Sequence, residues 1–245
     1  MSVLPRPPRR RPRLVTVVLA LVAVACLAVG VAFGIAAVKI ANRPPTPAER
    51  AAAAATAVAD RWRTLPAGQI FPATLSYSTS LLTTESAGLV GIGSQTACAD
   101  AVDPTFAALA TQDQCRAGLR ATYLDQLQGI LYTIGVLAFP TARRAAAFAA
   151  GLSADHSGVF ALNALAVPGT AGSLFSPQAR QAATSRQAGP FVILTVAGYA
   201  DGQPTGGGQQ SRADIFAPAA QLAAAVERPL TVPVHVNCRS PQWVC

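Results

Sequence analysis

Ala117-Gly-Leu-Arg-Ala-Thr-Tyr-Leu-Asp125 and Ile130-Leu-Tyr-Thr-Ile-Gly-Val-Leu-Ala-Phe139 flank the four residues Gln126-Leu127-Gln128-Gly129. Two β-prone runs around a short glycine-containing turn predict an antiparallel hairpin. The second run is apolar on both alternating faces, so it reads as a central strand covered on both sides. Pro140 and Thr141 end it. Ala142 to Leu152 then predicts a helix with Ala145, Phe148, Ala149 and Leu152 on its inward stripe.

Working outward, the pattern recurs in the order strand, strand, helix: Val159 to Val167, Phe191 to Tyr199, and a helix between about Ser211 and Glu227. Ser211 and Asp214 match a capping box, although Pro218 requires the helix to start later or to bend. Upstream, Ala73 to Tyr77 reads as a first strand, and Leu81 to Asp113 as loop with a short helix near Pro104 to Leu109. Pro168 to Ser173 and Asp201 to Gln210, which holds Gly206-Gly207-Gly208, read as surface loops. The whole predicts an α+β domain with helices packed against an antiparallel sheet.

Before this domain, Leu14 to Val38 contains 25 residues with no ionisable group other than the Cys26 thiol. At roughly 1.5 Å of rise per residue, such a helix exceeds a hydrocarbon layer about 30 Å thick. It is also longer than the apolar core of a cleaved signal peptide. The chain divides into a cytoplasmic Arg/Pro-rich tail (1–13), a transmembrane helix (14–38), a stalk and Ala-rich helix (39–65), and an extracytoplasmic α+β domain (66–245). Thr46-Pro47-Ala48-Glu49 has the form of a helix start, and Val58, Trp62 and Leu65 are placed to touch the domain.

The net charge of +8 and pI near 9.9 need to be located before they are read. Arg6, Arg9, Arg10, Arg11 and Arg13 precede the span and Lys39 and Arg43 adjoin it, leaving 12 basic residues against all 11 acids from residue 44 onward. The excess is a topological signal that puts the N-terminus in the cytoplasm and favours anionic lipid, and it leaves no footprint for nucleic acid. Ala23-Val24-Ala25-Cys26 imitates a lipoprotein site, but the chain stays apolar beyond it. Gly30 and Gly34 form a GxxxG, the spacing that lets two membrane helices approach and dimerise.

Four cysteines lie beyond the span: Cys98, Cys115, Cys238 and Cys245. An even number in an oxidising compartment reads as disulfides, and short loops favour Cys98 to Cys115 and Cys238 to Cys245. Zinc is the alternative for these thiols, but no Cys-x-x-Cys occurs and only His235, near Cys238, hints at ligand spacing. No cofactor is implied.

Lys39 is the only lysine, so Schiff-base and Ser-Lys chemistry have no amine beyond the span. His156 and His235 are the only imidazoles, and Gly91-Ile92-Gly93-Ser94 is not a nucleophile elbow. Asp100 and Asp103 read as turn and cap residues, and Asp125 sits at the hairpin turn. The expected function is a non-enzymatic, membrane-anchored binding or scaffold protein, an accessory subunit of an envelope secretion or transfer complex with envelope protein partners. The alternatives are an envelope hydrolase using His156 or His235, and a ligand-sensing ectodomain.

Arg61-Trp62-Arg63-Thr64-Leu65-Pro66-Ala67-Gly68, Cys115 to Tyr123 and the Ala/Arg-rich, lysine-poor composition carry a resemblance of style. The chain resembles the uncharacterised single-pass membrane proteins of high-GC Gram-positive bacteria. That resemblance implies an envelope location and no particular activity.

Overall fold

The computed structural model describes residues 13–41, 43–79, 81, 83–154, 160–204, 215–238, 240 and 243 of the 245 in the chain. They fall into two units, residues 1–47 and 48–245.

In the first unit, α1 (Arg13–Ala41) is one continuous helix. Its stretch Thr16–Lys39 has mean hydropathy 2.8 over the tested window and buries none of it, so by length and composition it can cross a membrane. Lys39 lies in its last turn.

The second unit begins with α2 (Pro47–Ala59), which starts at the proline as the capping pattern predicts. The helix does not run through to Arg63. It breaks at Asp60, and α3 (Arg61–Thr64) and α4 (Ala67–Ile70) follow as single turns. Val58, Trp62 and Leu65 do pack against the core. Arg61 donates to the carbonyls of Pro229 and Leu230, placing a cation on the final turn of the C-terminal helix.

The sheet has six antiparallel strands in the order β1-β2-β3-β4-β6-β5, curved into a half-barrel with helices packed around it. The strands are β1 (Thr74–Ser78), β2 (Thr84–Ile92), β3 (Ala117–Asp125), β4 (Ile130–Ala138), β5 (Ala182–Ala188) and β6 (Phe191–Tyr199). The predicted hairpin is β3 and β4, with Ala117 opposite Ala138 and Leu124 opposite Leu131. The Asp125 carboxylate accepts from the amides of Gly129 and Ile130 and so fixes the turn. Leu131 to Ala138 are all buried, as a strand covered on both faces requires.

One face carries Tyr123, Tyr132, Ile134 and Ile193 beneath α4 and α8 (Pro218–Thr231), whose Leu222 and Val226 are buried. Pro218 opens α8, so the helix starts later than Ser211, which lies outside the described residues along with Asp214. The Gln221 side chain on α8 bonds both the N–H and the C=O of Ser78, standing in for a strand partner at the β1 edge.

The other face carries Leu131, Leu137 and Val192 beneath α5 (Cys98–Ala101), α6 (Pro104–Gln112) and α7 (Ala142–Ala154). Ala145 and Phe148 of α7 are fully buried there, with Ala149 and Leu152 beside them.

Two strands escaped the sequence reading. β2 was expected as loop, because Thr84-Glu85-Ser86 is polar and the rest is rich in Gly and Ala. β5 is a polar edge strand. The expected strand Val159 to Val167 is absent among the described residues of that stretch. Residues 160–167 form instead a strap across β3 and β4, with one bridge between Leu162 and Val102. Gly135 makes room for it, since a Cβ there would collide with the Leu162 side chain. The order strand, strand, helix does occur twice, as β3-β4-α7 and β5-β6-α8.

Candidate functional site

Cys98 and Cys115 are bonded, with Cα atoms 6.2 Å apart, and pin α5 to the start of β3. Gly118 lets α5 lie close, because its missing Cβ would fall 2.5 Å from the Ala101 Cβ. Cys238 is also disulfide-bonded, and its expected partner Cys245 lies outside the described residues. Cys26 is free.

The strap docks on this pinned corner mostly through side chains. The Leu165 amide donates to Thr133 Oγ1 and the Thr122 hydroxyl donates to the Leu165 carbonyl, both on the buried face of β3 and β4. Thr122 has only one proton, so Thr133 donates across the 2.9 Å contact between the two hydroxyls. Asn163 bonds the α5–α6 connection from both ends: its amide donates to Ala101 O and its Nδ2 to Val102 O at 2.6 Å.

Two buried arginines flank the strap and are satisfied to very different degrees. Arg180 is 7% exposed and donates to the carbonyls of Pro177, Phe160 and Leu162 and to Asp103 Oδ2 at 3.2 Å. Its guanidinium also lies 5.5 Å from the Phe160 ring centre. Asp103 caps α6 through the Thr105 amide, as expected of a cap residue. Burial pushes the Asp103 carboxyl up, but hydrogen bonds from Thr105 and Arg180 outweigh it and hold the group below the usual carboxylate range.

Arg120 on β3 is equally buried, 6% exposed, yet makes a single long hydrogen bond, Nη1 to Asn163 O at 3.4 Å. Its Nε–H is sealed from solvent with no acceptor. Burial lowers its pKa and the nearby charge of exposed Asp100 opposes that shift. This residue was not singled out from sequence; the signal available was an arginine in the middle of β3, whose other charged residue, Asp125, stands at the strand's end.

The remaining sequence candidates do not join this corner. His235 is exposed in the coil after α8, and His156 lies outside the described residues. Gly30 and Gly34 lie on α1 with nothing within 4 Å of either Cβ position. Among the described residues no three His, Cys, Asp or Glu side chains cluster.

On the opposite face, Tyr77 donates to Glu85 and Tyr123 to the Pro72 carbonyl. Burial pushes both phenols and that of Tyr132 well up, so all three stay protonated. A pocket of about 120 Å³ between Phe106, Leu152, Leu162 and Leu194 is smaller than the roughly 300–1,000 Å³ of a drug-sized ligand site.

No protein family, curated protein or solved structure matches this chain.

Proposed function

We propose that the chain is a membrane-anchored binding or scaffold protein, an accessory subunit of an envelope secretion or transfer complex. The observation that carries this reading is α1, a fully unburied apolar helix preceding a disulfide-bonded unit. Disulfides persist in oxidising compartments, so the second unit is assigned outside the cytoplasm. The five arginines ahead of the span support an N-terminus on the cytoplasmic side. The resemblance to uncharacterised single-pass membrane proteins of high-GC Gram-positive bacteria supports a membrane anchor.

Extraction in mild detergent after photo-crosslinking is expected to co-purify a stable membrane partner. Recovery of the protein alone would overturn the scaffold reading. Labelling of intact cells with an impermeant thiol reagent after reduction is expected to reach Cys98 and Cys115, and protection of both would reverse the orientation.

A further inference from the structure

We propose that the outer edge of β5 binds an extended segment of a partner protein, which adds a strand to the sheet and places one branched aliphatic side chain in the adjoining pocket. Gly189 and Pro190 join β5 to β6 as a two-residue turn, with Gly189 at φ 57°. Glycine in that conformation before proline makes a type II′ hairpin turn, which is closed by a hydrogen-bonded pair. Ala188 and Phe191 are that pair. Counting back along the register, Ala182, Thr184 and Arg186 turn their backbone groups to β6, and Ala183, Ser185 and Gln187 turn theirs outward.

Those outward N–H and C=O groups meet no partner among the described residues. The other edge of the sheet is guarded, since the Gln221 side chain bonds Ser78 on β1. At β5 nothing described takes that place, and Ala183, Ser185, Arg186 and Gln187 are exposed.

The pocket of about 120 Å³ adjoins this edge, lined by Ala183 and Ser185 together with Leu152, Leu162 and Leu194. Ala183 and Ser185 share one face of the strand and are small, so a side chain beside them on an added strand can lean across into the pocket. A cavity of about 150 Å³ holds benzene, so this one suits a single branched aliphatic side chain. Main-chain bonds supply the affinity and the pocket selects the side chain.

Charge selects a second position. Successive side chains of a strand alternate, so the neighbour of the aliphatic residue stands on the face of Thr184 and Arg186. Arg186 is the charged residue of β5, ion-paired to Glu227 through Nε with its side chain 56% exposed. An acidic neighbour on the incoming segment complements it. A second copy of β5 fits poorly, because Ala183, Ser185 and Gln187 bring no branched apolar side chain and its arginine repeats the charge. The inference names the partner's segment for the scaffold reading and rests on it. The test reads the β5 edge alone, so its failure leaves co-purification of a membrane partner as a separate result.

A phage library of random nonapeptides is selected on the full chain in detergent and, in parallel, on Ser185→Pro. The proline removes an N–H that points outward and spares the bonds to β6. Enriched sequences are expected to carry Asp or Glu next to Val, Ile or Leu, and a synthetic peptide of the leading sequence should bind Ser185→Pro at least tenfold more weakly. Ala183→Phe, whose ring would occupy the pocket mouth, should abolish the aliphatic preference. Hydrogen exchange of the Ala183, Ser185 and Gln187 amides in the parent should slow when the peptide binds. Absence of enrichment, equal enrichment on Ser185→Pro, leading sequences without the aliphatic residue, or unaltered exchange at those amides would each overturn the proposal. A dimer in detergent that Ser185→Pro returns to monomer would assign the edge to a second copy and overturn it too. Exchange in the parent decides the matter if Ser185→Pro does not fold.

Discussion

The two buried arginines are similar in burial and opposite in bonding, so the same substitution should affect them differently. Arg180→Met leaves the Asp103 carboxylate and three carbonyls short of a donor, and is expected to cost about 3–5 kcal/mol. Arg120→Met removes a charge that has little to lose, and is expected to fall within about 1 kcal/mol of the parent or above it. Urea unfolding of the three proteins checks both values. Asp103 adds a pH dependence at the same scale. Its carboxyl is held below its ordinary value in the folded chain, so its contribution is present above about pH 4 and is lost as the pH falls through the folded-state value. Asp103→Asn should therefore be less stable than the parent at neutral pH, and the gap should narrow on acidification. A gap that widened would contradict the assignment.

At the scale of elements, the strap and the sheet meet where side chains are small. Gly135→Ala would drive a methyl group into fully buried Leu162 and is expected to destabilise the fold by about 1–3 kcal/mol, read as a lower denaturation midpoint. The same region shows which elements were legible in the sequence. β3, β4, β6 and α7 were, because Ile130 to Phe139 and Phe191 to Tyr199 are long apolar runs whose burial on two faces needs no partner to be known. β2 and β5 were not, because an edge-ward strand such as Ala182–Ala188 owes its conformation to pairing with a neighbour more than to its own side chains. Val159 to Val167 has the apolar character of a strand, which the strap shares, while the backbone bonds of residues 160–167 run to α5 and to threonine hydroxyls. The disulfide at Cys98 and Cys115 followed from spacing. The under-satisfied state of Arg120 did not, since it depends on which acceptors β3 finds after folding.

For the whole molecule, the disulfide closes a loop across 17 positions, and a Cys98→Ser/Cys115→Ser variant is expected to lose about 3 kcal/mol in the chain-entropy description. Far-ultraviolet circular dichroism through a thermal ramp would show it, and an unshifted midpoint would mean that the strap alone holds the corner. Within the bilayer, the open faces of Gly30 and Gly34 are proposed to admit a second helix. Gly30→Leu/Gly34→Leu should then self-associate less than the parent in a membrane two-hybrid assay, and equal association would leave the pair without that role.

Lys39, in the closing turn of α1, is the sole side-chain amine in 245 residues. Succinimide ester dyes, biotinylation reagents and lysine-specific proteases therefore cannot mark a lysine anywhere in residues 48–245. Whatever they modify through a lysine reports on the end of α1, which gives the experimenter a built-in single-site probe of that boundary.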